Sequence, residues 1–237
     1  MANNSASTSF SWDSFSPLLY WVIGKGVIGG ITHTFAPLSV YGKDRIPRHG
    51  GAVIAMNHFH AIDPACFGVS SPRRIVFAAK IEAHEQKGLG QLIRAHGALS
   101  VRRGSSDREA LRQMRKTVRD NHLLGMFIEG TRQSSGIPGD PKAGAAMVAI
   151  NEGVPVIPAA IEGTQDWKFG RRHHVAVAFG EPMRFDEYLC NSRGYRKASA
   201  EIMEEIIRLW EFLKGVRAQG SPPGSPPRRS CVPSRFE

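Results

Sequence analysis

Cysteine is scarce in this chain. Cys66, Cys190 and Cys231 are odd in number and widely spaced, which argues against a disulfide framework, and no Cys-x-x-Cys pair supports a cysteine zinc site. Such usage fits a reducing compartment. A basic start is also missing, because Met1 to Ser16 is polar, so a secretory signal is not expected. No apolar run is clean enough to read as one bilayer-spanning helix. The nearest, from Phe15 to Val40, is broken by Lys25, the Gly29-Gly30 pair, His33 and Pro37, whereas a spanning helix wants about 20 mostly apolar residues. Residues 15–40 therefore read as an amphipathic helical segment lying on a bilayer or packed on the domain. Acidic residues are outnumbered: 21 Asp and Glu against 31 Lys and Arg leave a formal charge of +10, which favours nucleic acid, an acidic membrane surface or a phosphorylated substrate as partner. With no helix-turn-helix, aromatic RNA-binding or zinc signature, a basic nucleic-acid-binding module rests on charge alone.

What is present is a core: 41% of the 237 residues are apolar, enough for one sizeable domain and a short tail. From Gly42 onward strand-length apolar runs, many β-branched, occupy Ala52 to Met56, Ile75 to Ala79, Ala98 to Val101, Leu123 to Ile128, Val154 to Ile161 and Val175 to Phe179. Helix-like segments lie between them at Pro64 to Ser70, Gly88 to Arg94, Asp107 to Arg119 and Ala143 to Asn151. This alternation predicts a single α/β domain with a largely parallel central sheet flanked by helices, whose ligands gather at strand carboxyl ends. A last helix, about Lys197 to Lys214, carries an apolar stripe from Ile202 to Leu213. The expected boundaries are a polar N-terminus over 1–14, the apolar segment over 15–40, the domain over 41–214 and a disordered tail over 215–237 that contains Ser-Pro-Pro twice.

Two motifs sit at predicted strand ends. In the first, Asn57 to Pro64, Asp63 is placed to cap a helix with Pro64 at its first position, and also to accept an imidazole N–H from His58. Held that way, His58 keeps its other nitrogen as a base near pH 7. Spacing alone leaves open a cap with an ordinary histidine beside it. His58-x-His60 with Asp63 also approaches the His-x-His-x-Asp-His ligand run of metallo-β-lactamase-type hydrolases, but Ile62 stands where that Asp belongs, so no metal is assigned. In the second motif, Gly130 permits close backbone approach, Thr131 and Arg132 suit phosphate oxygens, and Glu129 is expected to hold Arg132 in place. Taken alone, it also reads as an ordinary strand-to-loop turn.

The order of several blocks resembles the glycerophospholipid acyltransferase family that includes 1-acylglycerol-3-phosphate acyltransferases. Asn57-His58 with Asp63 is similar to the family's His, four residues, Asp signature; Gly97 to Arg103, Phe127 to Arg132 and Val154 to Pro158 are similar to the next three blocks, with Lys80, Glu82 and Phe179 to Pro182 also fitting. The resemblance covers about Val40 to Met183. It implies acyl transfer with no cofactor: His58 deprotonates an acceptor hydroxyl that attacks the thioester of acyl-CoA or an acyl carrier protein, and Asp63 orients His58. It further implies that Arg103, Thr131 and Arg132, with Lys80, grip the phosphate of a lysophospholipid at the cytoplasmic face of a membrane. Departures are Arg102, where many members carry Asp, and Ile128, where Pro is usual; they open another lyso-lipid, such as a lyso-aminolipid, as acceptor. Finally, Arg108, Arg112, Arg115 and Arg119 share one helical face, with Ser106 and Glu109 spaced as a capping box; this basic face suits an anionic leaflet, acyl-CoA or an acidic carrier protein.

Overall fold

In a computed structural model of the chain, residues 26, 29–80, 99–101, 108–168, 170–221 and 224–228 are described. Seven strands form one sheet in the order β1-β7-β6-β2-β5-β3-β4. They are β1 (Leu38–Tyr41), β2 (Ala52–Met56), β3 (Ile75–Lys80), β4 (Leu99–Val101), β5 (Leu123–Phe127), β6 (Val156–Glu162) and β7 (Val175–Phe179). The described helices are α1 (Gly29–Phe35), α2 (Asp63–Ser70), α3 (Arg108–Arg119), α4 (Gly144–Glu152) and α5 (Ser192–Ala218).

Strands β6, β2, β5, β3 and β4 run parallel, as expected from the alternating runs and helices. Among its described residues the connection from β6 to β7 contains no helix, so β7 returns antiparallel to β6 and β1 pairs with it in parallel. Every residue of β2, β6 and β7 is buried. Both sheet faces are covered there, which is why those strands read as unbroken apolar runs rather than as alternating ones. In β5, Gly125 makes room for a neighbour: a Cβ there would lie 2.5 Å from Ile75 Cγ2 and 2.9 Å from Phe77 Cδ1.

The segment 15–40 differs from expectation over its described part. Helix α1 lies within it, but Pro37 lacks the N–H a continuing helix needs, and Leu38 to Tyr41 become edge strand β1. Residues 88–94 and Ser106 lie outside the described residues. Helix α5 begins earlier than expected because Asn191 caps it, its side-chain oxygen accepting from Arg193 N at 3.0 Å and Gly194 N at 2.9 Å. It also runs past Lys214 to Ala218, with Ile202, Ile206, Leu209 and Leu213 fully buried. The tail is likewise not wholly disordered. Pro226 is buried, and the Arg45 guanidinium donates to its carbonyl at 2.7 Å while Arg208 donates to that of Pro227 at 3.1 Å.

The expected basic face of α3 is largely neutralised. Arg112 pairs with Glu109 at 2.8 Å, Lys116 with Asp120, and Arg115 and Arg119 both with the buried carboxylate of Glu152. Helix α2 contacts α1, β1 and β7, whereas α3, α4 and α5 pack in sequence against one another. The chain therefore leaves β2 through α2 and leaves the adjacent β5 through α4, toward a different set of elements. Such a divergence of neighbouring strand ends opens a crevice where ligands of parallel sheets bind.

Candidate active site

Both motifs emerge at that divergence. Met56 and Phe127 are register partners at the ends of β2 and β5, and Ile128 N donates to the Met56 carbonyl at 3.0 Å. On the other side of β2 the ladder to β6 ends at Met56 and Ala159. Beyond it the fully buried Asn57 side chain takes over, donating to the Ile161 carbonyl at 3.0 Å and accepting from Ile161 N at 2.9 Å. The residue before His58 is thus fastened on the β6 side.

His58 Nδ1 lies 2.8 Å from Asp63 Oδ2. The same oxygen accepts from Phe59 N at 2.7 Å and His60 N at 2.8 Å. Asp63 is therefore not the helix cap expected of it. The cap position of α2 is Ile62, which makes no side-chain bond, and the Asp63 carboxylate turns back into the loop that precedes it. The physical reason is local: the turn aims an imidazole N–H and two backbone N–H groups at one buried oxygen, and burial makes unmet donors costly. With Asp63 as acceptor, Nδ1 carries the proton and Nε2 keeps a lone pair. The His58 side chain is 16% exposed, against 0% for Asp63, so the imidazole is reachable while its partner is shielded. Phe127 stacks on the His58 ring at 3.9 Å and 20°, and Phe77 lies nearly parallel to Phe127 at 6.2 Å.

Glu129 does not hold Arg132. Its carboxylate accepts from His58 N at 2.7 Å and from Gly139 N at 2.8 Å, clamping the histidine loop to the loop after β5. Burial pushes its pKa up to about 7, against the opposing pull of the Gly139 and His58 N–H groups. A second strut joins the same loops, from Gln133 N to the His58 carbonyl at 2.7 Å. Gly130 has φ of 71°, so its need is conformational; a Cβ there would make only ordinary contact, 3.5 Å from Lys142.

Thr131 and Arg132 are exposed on the loop after β5. The Arg132 charge reaches His60, whose pKa is lowered first by burial and then by Arg132 and His58, against an upward pull from Asp63. His60 faces Trp167, ring centres 5.5 Å apart. Lys80 is the last residue of β3, paired in register with Val101 of β4; Arg103 and Arg102 lie outside the described residues. Among the described residues, no cluster of three or more His, Cys, Asp or Glu side chains is placed to hold a metal ion. The sequence motifs assign no role to Asn57 or Phe127 and do not single out Gln133 or Gly139. An asparagine directly after an unbroken apolar strand is a usable signal; the backbone donors carry none.

Comparison with known proteins bears on the same region. A family model described as acyltransferase matches residues 37–162, which contain both motifs. The chain is similar to a 1-acyl-sn-glycerol-3-phosphate acyltransferase of Bacillus subtilis (strain 168), 29% identical over 148 residues that cover 62% of this chain and 73% of that one. A protein of the same name from Streptococcus pneumoniae is 26% identical over 179 residues, covering 73% and 66%. In fold, the chain resembles the crystal structure of a 1-acyl-sn-glycerophosphate acyltransferase, PlsC, from Thermotoga maritima, with a TM-score of 0.63, 23% identity and coverage of 88% and 82%.

Proposed function

Because the chain belongs to the acyltransferase family, we propose that it moves a fatty acyl group from acyl-CoA or an acyl carrier protein to the free hydroxyl of 1-acylglycerol-3-phosphate, giving phosphatidic acid. The observation that carries this reading is the His58–Asp63 pair, with Nε2 left as acceptor on a side chain that is 16% exposed and tied, through Gln133 N, to the loop that carries Thr131 and Arg132. His58 Nε2 takes the hydroxyl proton as the oxygen attacks the thioester carbon. The tetrahedral intermediate then collapses: the C–S bond breaks, and the thiolate takes the proton from the imidazolium. Asp63 keeps Nδ1–H in place and offsets the charge of the imidazolium while it lasts. General-base assistance of this kind contributes about 10²–10⁴-fold.

Arg132 and Thr131, with Arg103 and Lys80, hold the acceptor phosphate. A guanidinium fork meets phosphate oxygens in pairs, which positions as well as attracts. We further propose that the protein works as a peripheral protein at the cytoplasmic face of a membrane. No described helix is long and apolar enough to cross one. The test is purified protein with lysophosphatidic acid in detergent or vesicles, a panel of acyl-CoA and acyl-carrier donors, and detection of released thiol. Turnover with lysophosphatidic acid is expected. Turnover only with a lyso-lipid lacking the phosphomonoester would overturn the acceptor, and none with any lyso-lipid would overturn the reading.

A further inference from the structure

The loops that follow β5 and β6 meet: a Cβ at Gly136 would lie 3.1 Å from Gln165 Cγ. Just past that contact, Ile137 is 58% exposed, one of two large apolar side chains so exposed among the described residues. The β6–β7 connection that contains Gln165 also carries Lys168, Arg171 and Arg172, all exposed and none in an ion pair among the described residues. Asp166 is the one acidic residue between Gly163 and Val175. The connection is also tied to α1. Phe35 offers its carbonyl to Trp167 Nε1 and to His173 N, both at 3.0 Å, and Trp167 is the residue whose ring faces His60.

We infer that this rim, Ile137 with Lys168, Arg171 and Arg172, is the surface that seats on an anionic phospholipid leaflet. The inference rests on the reading that the acceptor is a membrane lipid and names the surface that meets the membrane. Three features select it over the rest of a chain with net charge +10. Its cations are not spent on carboxylates, unlike Arg112, Arg115, Lys116 and Arg119 of α3. The loop that carries the exposed Ile137 touches the connection that carries them, at Gly136 and Gln165, and a cationic surface with an apolar probe suits the headgroup boundary. It is fastened to the end of α1, which lies within the apolar segment that begins at Phe15, and it borders the loop that carries His58. A lipid leaving the leaflet under this rim has a short path to the base.

The measurement is co-sedimentation of the full chain with phosphatidylcholine vesicles containing phosphatidylglycerol and with phosphatidylcholine alone. Each cation near an anionic leaflet contributes about fivefold to partitioning, so Lys168→Gln/Arg171→Gln/Arg172→Gln is expected to lower binding to the anionic vesicles on the order of a hundredfold. Turnover in detergent micelles is expected to stay at the wild-type level, which separates this surface from the chemistry. A matched control, Arg108→Gln/Arg112→Gln/Lys116→Gln, removes the same formal charge from α3 and is expected to leave vesicle binding nearly intact. Ile137→Ser is expected to weaken binding to both vesicle types, and to do so at high salt as well. Equal losses in the rim and α3 variants would reduce the effect to net charge and overturn the inference. So would undiminished vesicle binding of the rim variant. So would a rim variant whose defect appears only as a raised KM for an acidic acyl carrier protein, since the surface would then be the donor's. Absence of wild-type turnover in micelles would instead count against the proposed function and leave the vesicle result to be judged by itself.

Discussion

Truncating Asn57 to alanine removes no titratable group and no substrate contact, yet it is expected to unsettle both the fold and the base. The side chain satisfies the N–H and C=O of Ile161, at 2.9 and 3.0 Å, beyond the last register pair of the β2–β6 ladder. Both Asn57 and Ile161 are fully buried, so water does not replace the lost partner. Each unmet buried backbone group costs about 1–3 kcal/mol, which makes the substitution worth about 2–6 kcal/mol. At a urea m-value of about 2–3 kcal/mol/M, the unfolding midpoint falls by roughly 0.7–3 M. The activity of the folded fraction should drop mainly in kcat, because the residue that follows is His58 and its aim rather than its affinity is disturbed. Asn57→Asp sharpens the test: it keeps an acceptor for Ile161 N but faces a carboxylate oxygen to the Ile161 carbonyl, so it should be no better than alanine. An unchanged midpoint together with wild-type kcat in Asn57→Ala would refute the reasoning.

Asp63→Asn should lower kcat by about 10²–10⁴-fold, since an amide can accept the loop N–H groups but lacks the charge that offsets the imidazolium; near-normal turnover would remove Asp63 from the mechanism. Glu129 carries a pH signature. Its folded-state pKa, about 7, is raised above that of an exposed carboxyl, so its contribution to stability is fully present below the unfolded value and is lost as pH rises toward 7. Chemical denaturation of wild type and Glu129→Gln across that window should therefore find the wild type losing stability relative to the variant as pH increases, and a constant difference would contradict the burial of this carboxyl. Removing residues 224–237, or replacing Arg45 by alanine, should lower stability by about 1–3 kcal/mol through the contacts to Pro226 and Pro227; no change in thermal unfolding would mean that the segment merely rests on the domain.

The strands that position the site were legible because burial on both faces leaves a plain mark in sequence: β2 and β7 have the bounds expected of them, and β5 ends one residue sooner. Strand β1 was not, because its Leu38, Val40 and Tyr41 continue an apolar stretch that begins in a helix, and only Pro37 marks the change. The early start of α5 escaped because its first turns are polar, so periodicity was silent and the Asn191 cap was the one available cue. In the site, the His58–Asp63 contact could be read from spacing, but the direction of the carboxylate could not. An Asp before Pro at a helix start looks the same whether it caps forward or reaches back, and the choice here goes to the three donors converging on Oδ2. Glu129 misleads for a related reason. Arg132 is its neighbour in sequence, whereas its partners are backbone N–H groups of His58 and Gly139, which no side-chain pattern announces.

In the proposed reaction His58 moves the proton, while the nearby His60, whose ring is turned toward Trp167, does not. The direct measurement is thiol release from an acyl thioester with lysophosphatidic acid as acceptor, comparing His58→Ala and His60→Ala with wild type after circular dichroism has established that all three are folded. His58→Ala should fall by about 10²–10⁴-fold in kcat, while His60→Ala stays within about tenfold of wild type. Comparable losses in the two variants, or substantial turnover without His58, would contradict the assignment of the base.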